Sequence, residues 1–117
     1  MYASKMKLGN LIGILDYNGV QLDGFSKDIM PMEPMVDKWK SFNWNVICAD
    51  GHDIESMTES FKESFKCDDK PTIIIAKTVK GKGVSFMEND NKWHGKTIND
   101  DDYFKAISEL KEVEYVL

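Results

Sequence analysis

The chain has 117 residues, two cysteines and a formal net charge of −5, which allows one domain with a modest core. A hydrophobic share of 42% argues against disorder, and the acidic balance argues against a broad nucleic-acid surface. No apolar run approaches the roughly 20 residues of a membrane helix, and the first ten residues hold no secretory stretch. A cytoplasmic protein with neither membrane nor nucleic-acid partner is therefore expected.

In chain order, MYASKMKLGN reads as the last turns of a helix that stops at Gly9. Almost nothing precedes it, so the chain is expected to start inside an α/β unit, truncated at its N-terminal side. LIGIL (11–15) follows as a continuous aliphatic run, suited to a strand covered on both faces. After it comes DYNGVQLDG, with no clean second strand behind its Asn-Gly turn. PMVDKWKSF predicts a helix with Met35, Val36, Trp39 and Phe42 on one face and Pro34 in its first turn. WNVICA (44–49) predicts the next strand, with Cys48 packed as a small hydrophobe. DIESMTESFKESFK predicts a helix capped by Asp53, burying a stripe of Ile54, Met57, Phe61 and Phe65. TIIIAKTV (72–79) is a third strand, and a last helix starts within NDDD and buries Tyr103 or Phe104, Ile107 and Leu110. Strands alternating with helices indicate an α/β fold with a mainly parallel sheet and flanking helices. Cys48 and Cys67 form no disulfide or metal framework.

Three loops carry candidate chemistry. In open parallel sheets ligands bind beyond the carboxyl ends of strands, where Asp16 and Asn18 fall. An Asn18 amide oxygen and a carbonyl two residues later would suit magnesium, which takes near-octahedral oxygen ligands. A plain turn explains Asn-Gly equally, because Asx side chains bond their own backbone. KTVKGKG (77–83) offers two glycines and the charges of Lys80 and Lys82 to an anion. It lacks P-loop spacing, and a solvated basic loop is the alternative. In NKWHGK, the loop histidine His94 could donate to phosphate or move a proton near neutral pH, or be incidental. His52, in DGHD, sits at a helix start. No Ser-His-Asp order, nucleophilic cysteine motif or zinc ligand set is present.

The order LIGILDYNGVQLDG, DGHDIE, TIIIAKTVKGKGVSFMEN, WHGK resembles transketolase across essentially the whole chain. More narrowly, it is similar to the second half of the amino-terminal subunit of split transketolases, a C-terminal portion of the pyrophosphate-binding domain spanning 1–117. The resemblance implies thiamine diphosphate and Mg2+ as cofactors and the transfer of a two-carbon ketol unit between sugar phosphates. It implies Asn18 and the Val20 carbonyl as metal ligands. Lys80 and His94 then lie at the cofactor with Asn18, and His94 is the catalytic candidate.

The sequence departs from that family in having no Gly-Asp-Gly triplet, whose aspartate completes the metal site. The early histidines and the pyrimidine-binding domain are missing too. The chain is therefore expected to be inactive alone, completed by complementary transketolase chains or self-associating. Three other readings stand beside this one. One is a non-catalytic oligomerisation or interaction module that retains the fold. Another is a phosphate- or nucleotide-binding domain that uses KTVKGKG. Within the family, a fragment like 1-deoxyxylulose-5-phosphate synthase is the runner-up.

Overall fold

The structure, a computed structural model, describes residues 1–111; the end of the expected domain, 112–117, lies outside the described residues. In chain order the elements are α1 (Tyr2–Lys5), β1 (Ile12–Tyr17), β2 (Val20–Gln21), β3 (Gly24–Phe25), α2 (Ser26–Ile29) and α3 (Met35–Ser41). They continue with β4 (Asn45–Asp50), α4 (Ile54–Ser64), β5 (Thr72–Lys77), a short 3-10 helix (Asn91–His94) and α5 (Asp100–Lys111). The α/β expectation holds. The chain divides into two compact units: Met1–Tyr17 with Pro31–Thr78, and Asn18–Met30 with Val79–Leu117.

The first unit is a three-stranded parallel sheet in the order β1-β5-β4. Its middle strand must be apolar on both faces, and Thr72 through Ala76 are all buried. Ile14, Ile74 and Ile47 are aligned across the sheet, and Ile74 is fully enclosed. Buried Thr72 is not left unsatisfied: its hydroxyl oxygen accepts from the Asn45 amide at 3.1 Å. Helix α4 links β4 to β5 and packs on both. Asp53 caps it as expected, its carboxylate accepting from the Glu55 N–H at 2.9 Å. Elsewhere in this unit the Ser4 hydroxyl donates to the Phe42 carbonyl, and Trp39 meets Trp44 edge-on at 4.9 Å.

The second unit contains the hairpin β2–β3, helix α2, the loop 79–90, the 3-10 helix and α5. Val84 and Ala106 are buried in it, and the Ser85 hydroxyl donates to Glu109 at 2.9 Å, tying the loop to α5.

Several expectations are corrected. A second strand does follow the Asn-Gly turn: Val20 pairs with Phe25 and Gln21 with Gly24. Helix α1 ends at Lys5, and the left-handed residue behind it is Lys7 (φ 53°), not Gly9. Gly9 instead makes room for the Asp68 carbonyl, which a Cβ would meet at 2.0 Å. Strand β1 is not covered on both faces, since Ile14 is 55% exposed. Cys48 is exposed because β4 is an edge strand. In α3, Met35, Val36 and Trp39 are half-buried while Phe42, past the helix end, is exposed. In α5, Tyr103 and Phe104 stack edge-on at the surface, and the small Ala106 is buried instead.

The largest correction concerns α4. Of the expected stripe, Met57 and Phe61 are half-buried, but Ile54 is 84% and Phe65 73% exposed, whereas Ser60 and Ser64 are buried. Serine's small side chain lets a helix approach a sheet closely. Its hydroxyl is satisfied within the helix: Ser60 donates to the Ser56 carbonyl at 2.8 Å and Ser64 to the Phe61 carbonyl at 2.7 Å.

Candidate functional site

Asn18, Val20, Lys80 and His94 all belong to the second unit. The chain leaves β1 at Tyr17 and turns at once. The Asn18 side-chain oxygen accepts from the Val20 N–H at 2.9 Å, and Gly19 takes φ 70°. This is the Asx turn that Asn-Gly favours. The Gly19 carbonyl then accepts from the Ser26 N–H at 2.9 Å, closing the loop around β2 and β3. Turn and ligand are compatible here. An amide oxygen has two lone pairs, so Asn18 can hold its turn and still face a cation.

The residues fit magnesium in part. Asn18 and the Val20 carbonyl supply two oxygens of the six that the ion needs. Among the described residues no cluster of three or more His, Cys, Asp or Glu side chains is positioned to hold a metal.

Lys80 is half-buried at the head of a loop that closes on itself. Its carbonyl accepts from the Asn89 N–H at 2.9 Å. Gly81, at φ 74°, lies so close to Met87 that a Cβ would sit 2.5 Å from that residue's carbonyl oxygen. The Gly83 N–H donates to the Glu88 carboxylate at 3.1 Å, and the Lys82 ammonium lies 3.9 Å from the same oxygen. A side chain of the loop itself thus takes the amide that a free anion would need, which weakens the simple phosphate-loop reading.

His94 is exposed at the end of the 3-10 helix. Asp90 caps that turn by accepting from the Lys92 N–H at 2.9 Å. Its neighbour Trp93 anchors it: the indole N–H donates to the Phe86 carbonyl at 3.0 Å, and the two rings meet edge-on at 5.3 Å. The Lys96 ammonium lies 3.8 Å from the centre of the Trp93 ring. Most informative is Asn91, whose amide donates to the Leu22 carbonyl at 2.9 Å. That bond joins the tip of the β2–β3 hairpin, which follows the Asn18 turn, to the 3-10 helix that carries His94.

Sequence reasoning singles out the candidate residues but not Asn91, Trp93 or Glu88, which hold the loops together. Trp93 next to His94 was the available signal, since an indole in a polar loop needs an anchor. At the end of β1, in the first unit, Thr78 donates to the Asp16 carboxylate. Tyr17 donates to Glu33, a bond that raises the phenol above its ordinary pKa. The same bond, followed by one from the Met35 N–H, holds the Glu33 carboxyl below its own.

The sequence pattern of the family described as "Transketolase, thiamine diphosphate binding domain" matches residues 1–112. The chain is 35% identical over 112 residues to the 6-deoxy-6-sulfo-D-fructose transketolase subunit SqwG of Clostridium sp., covering 96% of this chain and 41% of that protein. It is 42% identical over 110 residues to one of the apulose-4-phosphate transketolase subunits, from Actinobacillus succinogenes, covering 94% and 40% respectively. The chain thus spans about two fifths of the length of these relatives. Among solved structures, Campylobacter jejuni transketolase superposes with a TM-score of 0.85 at 28% identity, over 94% of this chain and 17% of that one. A Pichia stipitis transketolase in complex with sedoheptulose-7-phosphate gives 0.84 at 25% identity, over 94% and 16%.

Proposed function

This chain belongs to the transketolase family by its thiamine diphosphate-binding domain, and we propose that it supplies half of a thiamine diphosphate–magnesium site. In this reading the completed enzyme moves a two-carbon ketol unit between sugar phosphates, and the chain alone turns over nothing. The bond from Asn91 to the Leu22 carbonyl is the observation that carries the proposal. It supports the reading by tying the hairpin that follows the proposed metal-binding turn to the 3-10 helix that ends in the proposed catalytic histidine.

Asn18 and the Val20 carbonyl would hold magnesium against the cofactor's diphosphate. Lys80, at the head of its closed loop, would place a positive charge near the same phosphates. His94 would hold or pass a proton at a substrate oxygen as the carbon–carbon bond breaks and forms. When bound, the cofactor supplies the electron sink that such bond cleavage needs. Relatives named as transketolase subunits support a complementary chain as partner.

Calorimetry tests this reading. The chain mixed with a complementary transketolase polypeptide should release heat with thiamine diphosphate only when magnesium is present. Asn18→Ala in the same mixture should abolish that heat. Cofactor binding that ignores magnesium, or survives Asn18→Ala, would overturn the assignment. His94→Ala should leave the heat nearly intact and lower kcat of the reconstituted enzyme by roughly 10²–10⁴-fold.

A further inference from the structure

An asparagine followed by glycine can react with itself, because the glycine nitrogen can add to the asparagine amide carbon. The addition needs a side chain folded back over the next peptide, an unscreened nitrogen and support for the charge that gathers on the amide oxygen. The Asn18 loop meets all three needs. Its Asx turn closes a ring that runs through the Asn18 Cγ and the Gly19 nitrogen, so the bond from the Val20 N–H folds the amide carbon towards its attacker. Gly19 has no side chain to crowd that nitrogen, and a Cβ built there would meet nothing within 4 Å. The Val20 nitrogen lies 2.9 Å from the Asn18 oxygen, where negative charge gathers once the nitrogen has added. A fixed donor aimed at such an oxygen lowers the barrier as an oxyanion hole does. An N–H can donate only to the oxygen end of an amide, so the same bond turns the leaving NH2 group away from the donor.

We propose that Asn18 is a self-modification site, converted by solvent to aspartate and isoaspartate. Hydroxide takes the Gly19 amide proton, and the nitrogen bonds to the Asn18 Cγ. The Cγ–Nδ2 bond then breaks, and ammonia leaves with a proton from water, which returns the hydroxide. Water opens the cyclic imide in one of two ways. Breaking the new N–Cγ bond leaves aspartate at position 18. Breaking the original bond, between the main-chain carbonyl carbon and the Gly19 nitrogen, leaves isoaspartate. No oxidant or reductant enters.

The chemistry rests on the turn alone, and its consequence for magnesium rests on the reading of Asn18 and Val20 proposed above. Aspartate keeps an oxygen where the turn and the ion need one. Isoaspartate routes the main chain through the side-chain methylene, which lengthens the link to Gly19 and takes position 18 out of register with the Val20 carbonyl. Two other asparagines serve as internal controls. Asn43 and Asn89 are exposed and take left-handed φ, at 61° and 57°, but Trp44 and Asp90 follow them. Asn18 is only half-exposed. Exposure alone would rank Asn43 and Asn89 first, whereas the turn and its glycine rank Asn18 first.

Ageing the purified chain in mildly alkaline buffer, followed by peptide mapping with electron-transfer fragmentation, tests this without any cofactor. Asn18 should convert at least tenfold faster than Asn43 or Asn89, with isoaspartate among its products and a rate that rises in proportion to hydroxide. Gly19→Ala should slow the conversion at least tenfold, because the new Cβ crowds its own nitrogen. The folded chain should react no more slowly than the same chain in guanidinium chloride, where the turn is lost. Three results overturn the proposal: conversion led by Asn43 or Asn89, indifference to Gly19→Ala, or clear acceleration on unfolding. Fresh and aged chain are then compared by calorimetry with a complementary transketolase polypeptide, thiamine diphosphate and magnesium. Heat that falls with the isoaspartate fraction supports the consequence for the ion, and full heat from converted chain overturns it. No heat from the fresh chain would defeat the cofactor reading and leave the modification site standing.

Discussion

Gly19 and Gly81 both take positive φ, at 70° and 74°, but their surroundings differ. A Cβ at Gly19 would meet nothing within 4 Å, whereas one at Gly81 would lie 2.5 Å from the Met87 carbonyl oxygen. Gly19→Ala therefore isolates the conformational cost. A side chain in the left-handed region costs roughly 1–2 kcal/mol, and about 0.4–1 kcal/mol of that is recovered because alanine stiffens the unfolded chain. The net loss should be about 1 kcal/mol. Gly81→Ala carries the same cost plus overpacking of about 1–3 kcal/mol against backbone that has little freedom to move, for a total of about 2–4 kcal/mol. Both glycines and Trp93 lie in the second unit, so the Trp93 indole N–H resonance, followed by NMR through a urea titration, reports on both variants. Equal destabilisation, or a larger effect at Gly19, would refute the packing around the 80–89 loop and with it the placement of Lys80.

Further expectations follow from single contacts. Glu109 accepts from the Ser85 N–H and then from its hydroxyl, and these bonds hold its carboxyl below the ordinary value. A depressed carboxyl stabilises the fold above its unfolded pKa and loses that contribution as pH falls through the folded value. Acidification from about pH 6 to about pH 3 should thus lower the wild-type thermal midpoint more than that of Glu109→Gln, and parallel curves would remove the linkage. Asp53→Ala should cost about 1 kcal/mol in urea denaturation by uncapping α4; a loss of under a few tenths would contradict the cap. Ile74→Ala, at the fully enclosed centre of the sheet, should cost about 2–5 kcal/mol in the same assay, and a cost no larger than that of Ile14→Ala would contradict the assigned core.

The strands were legible because their physical signal is strong and local. The run from Ile73 to Ala76 is apolar without alternation, which suits a strand covered on both faces, and β5 is one; the equally continuous LIGIL forms β1, whose Ile14 is exposed. The caps were equally local: Asp53 precedes a helical period and accepts from the N–H two residues on. The site residues were reached by resemblance, not by periodicity, since a lone Asn-Gly and a lone histidine carry little signal. The loops that follow Asn18 and precede His94 are tied by a bond between Asn91 and Leu22, 69 positions apart. No local pattern encodes such a pairing, because it depends on where two loops end up.

Helix α4 shows why burial is the hardest property to read. Its apolar residues recur at helical spacing, and a rule that turns the greasiest face inwards selects Ile54 and Phe65. The sheet-facing line is Ser60 and Ser64 instead. Hydrophobic burial alone would favour the other rotation, at about 25 cal/mol per Å² of apolar surface. The serine line wins in this unit because small, internally bonded side chains allow close contact with β4 and β5, which large side chains would prevent. Only the two ends of the stripe, Ile54 and Phe65, are left exposed, while Met57 and Phe61 between them are half-buried. A sequence pattern records that a helix has an apolar face. Which of its residues meet the sheet depends on the strands it packs against, here β4 and β5.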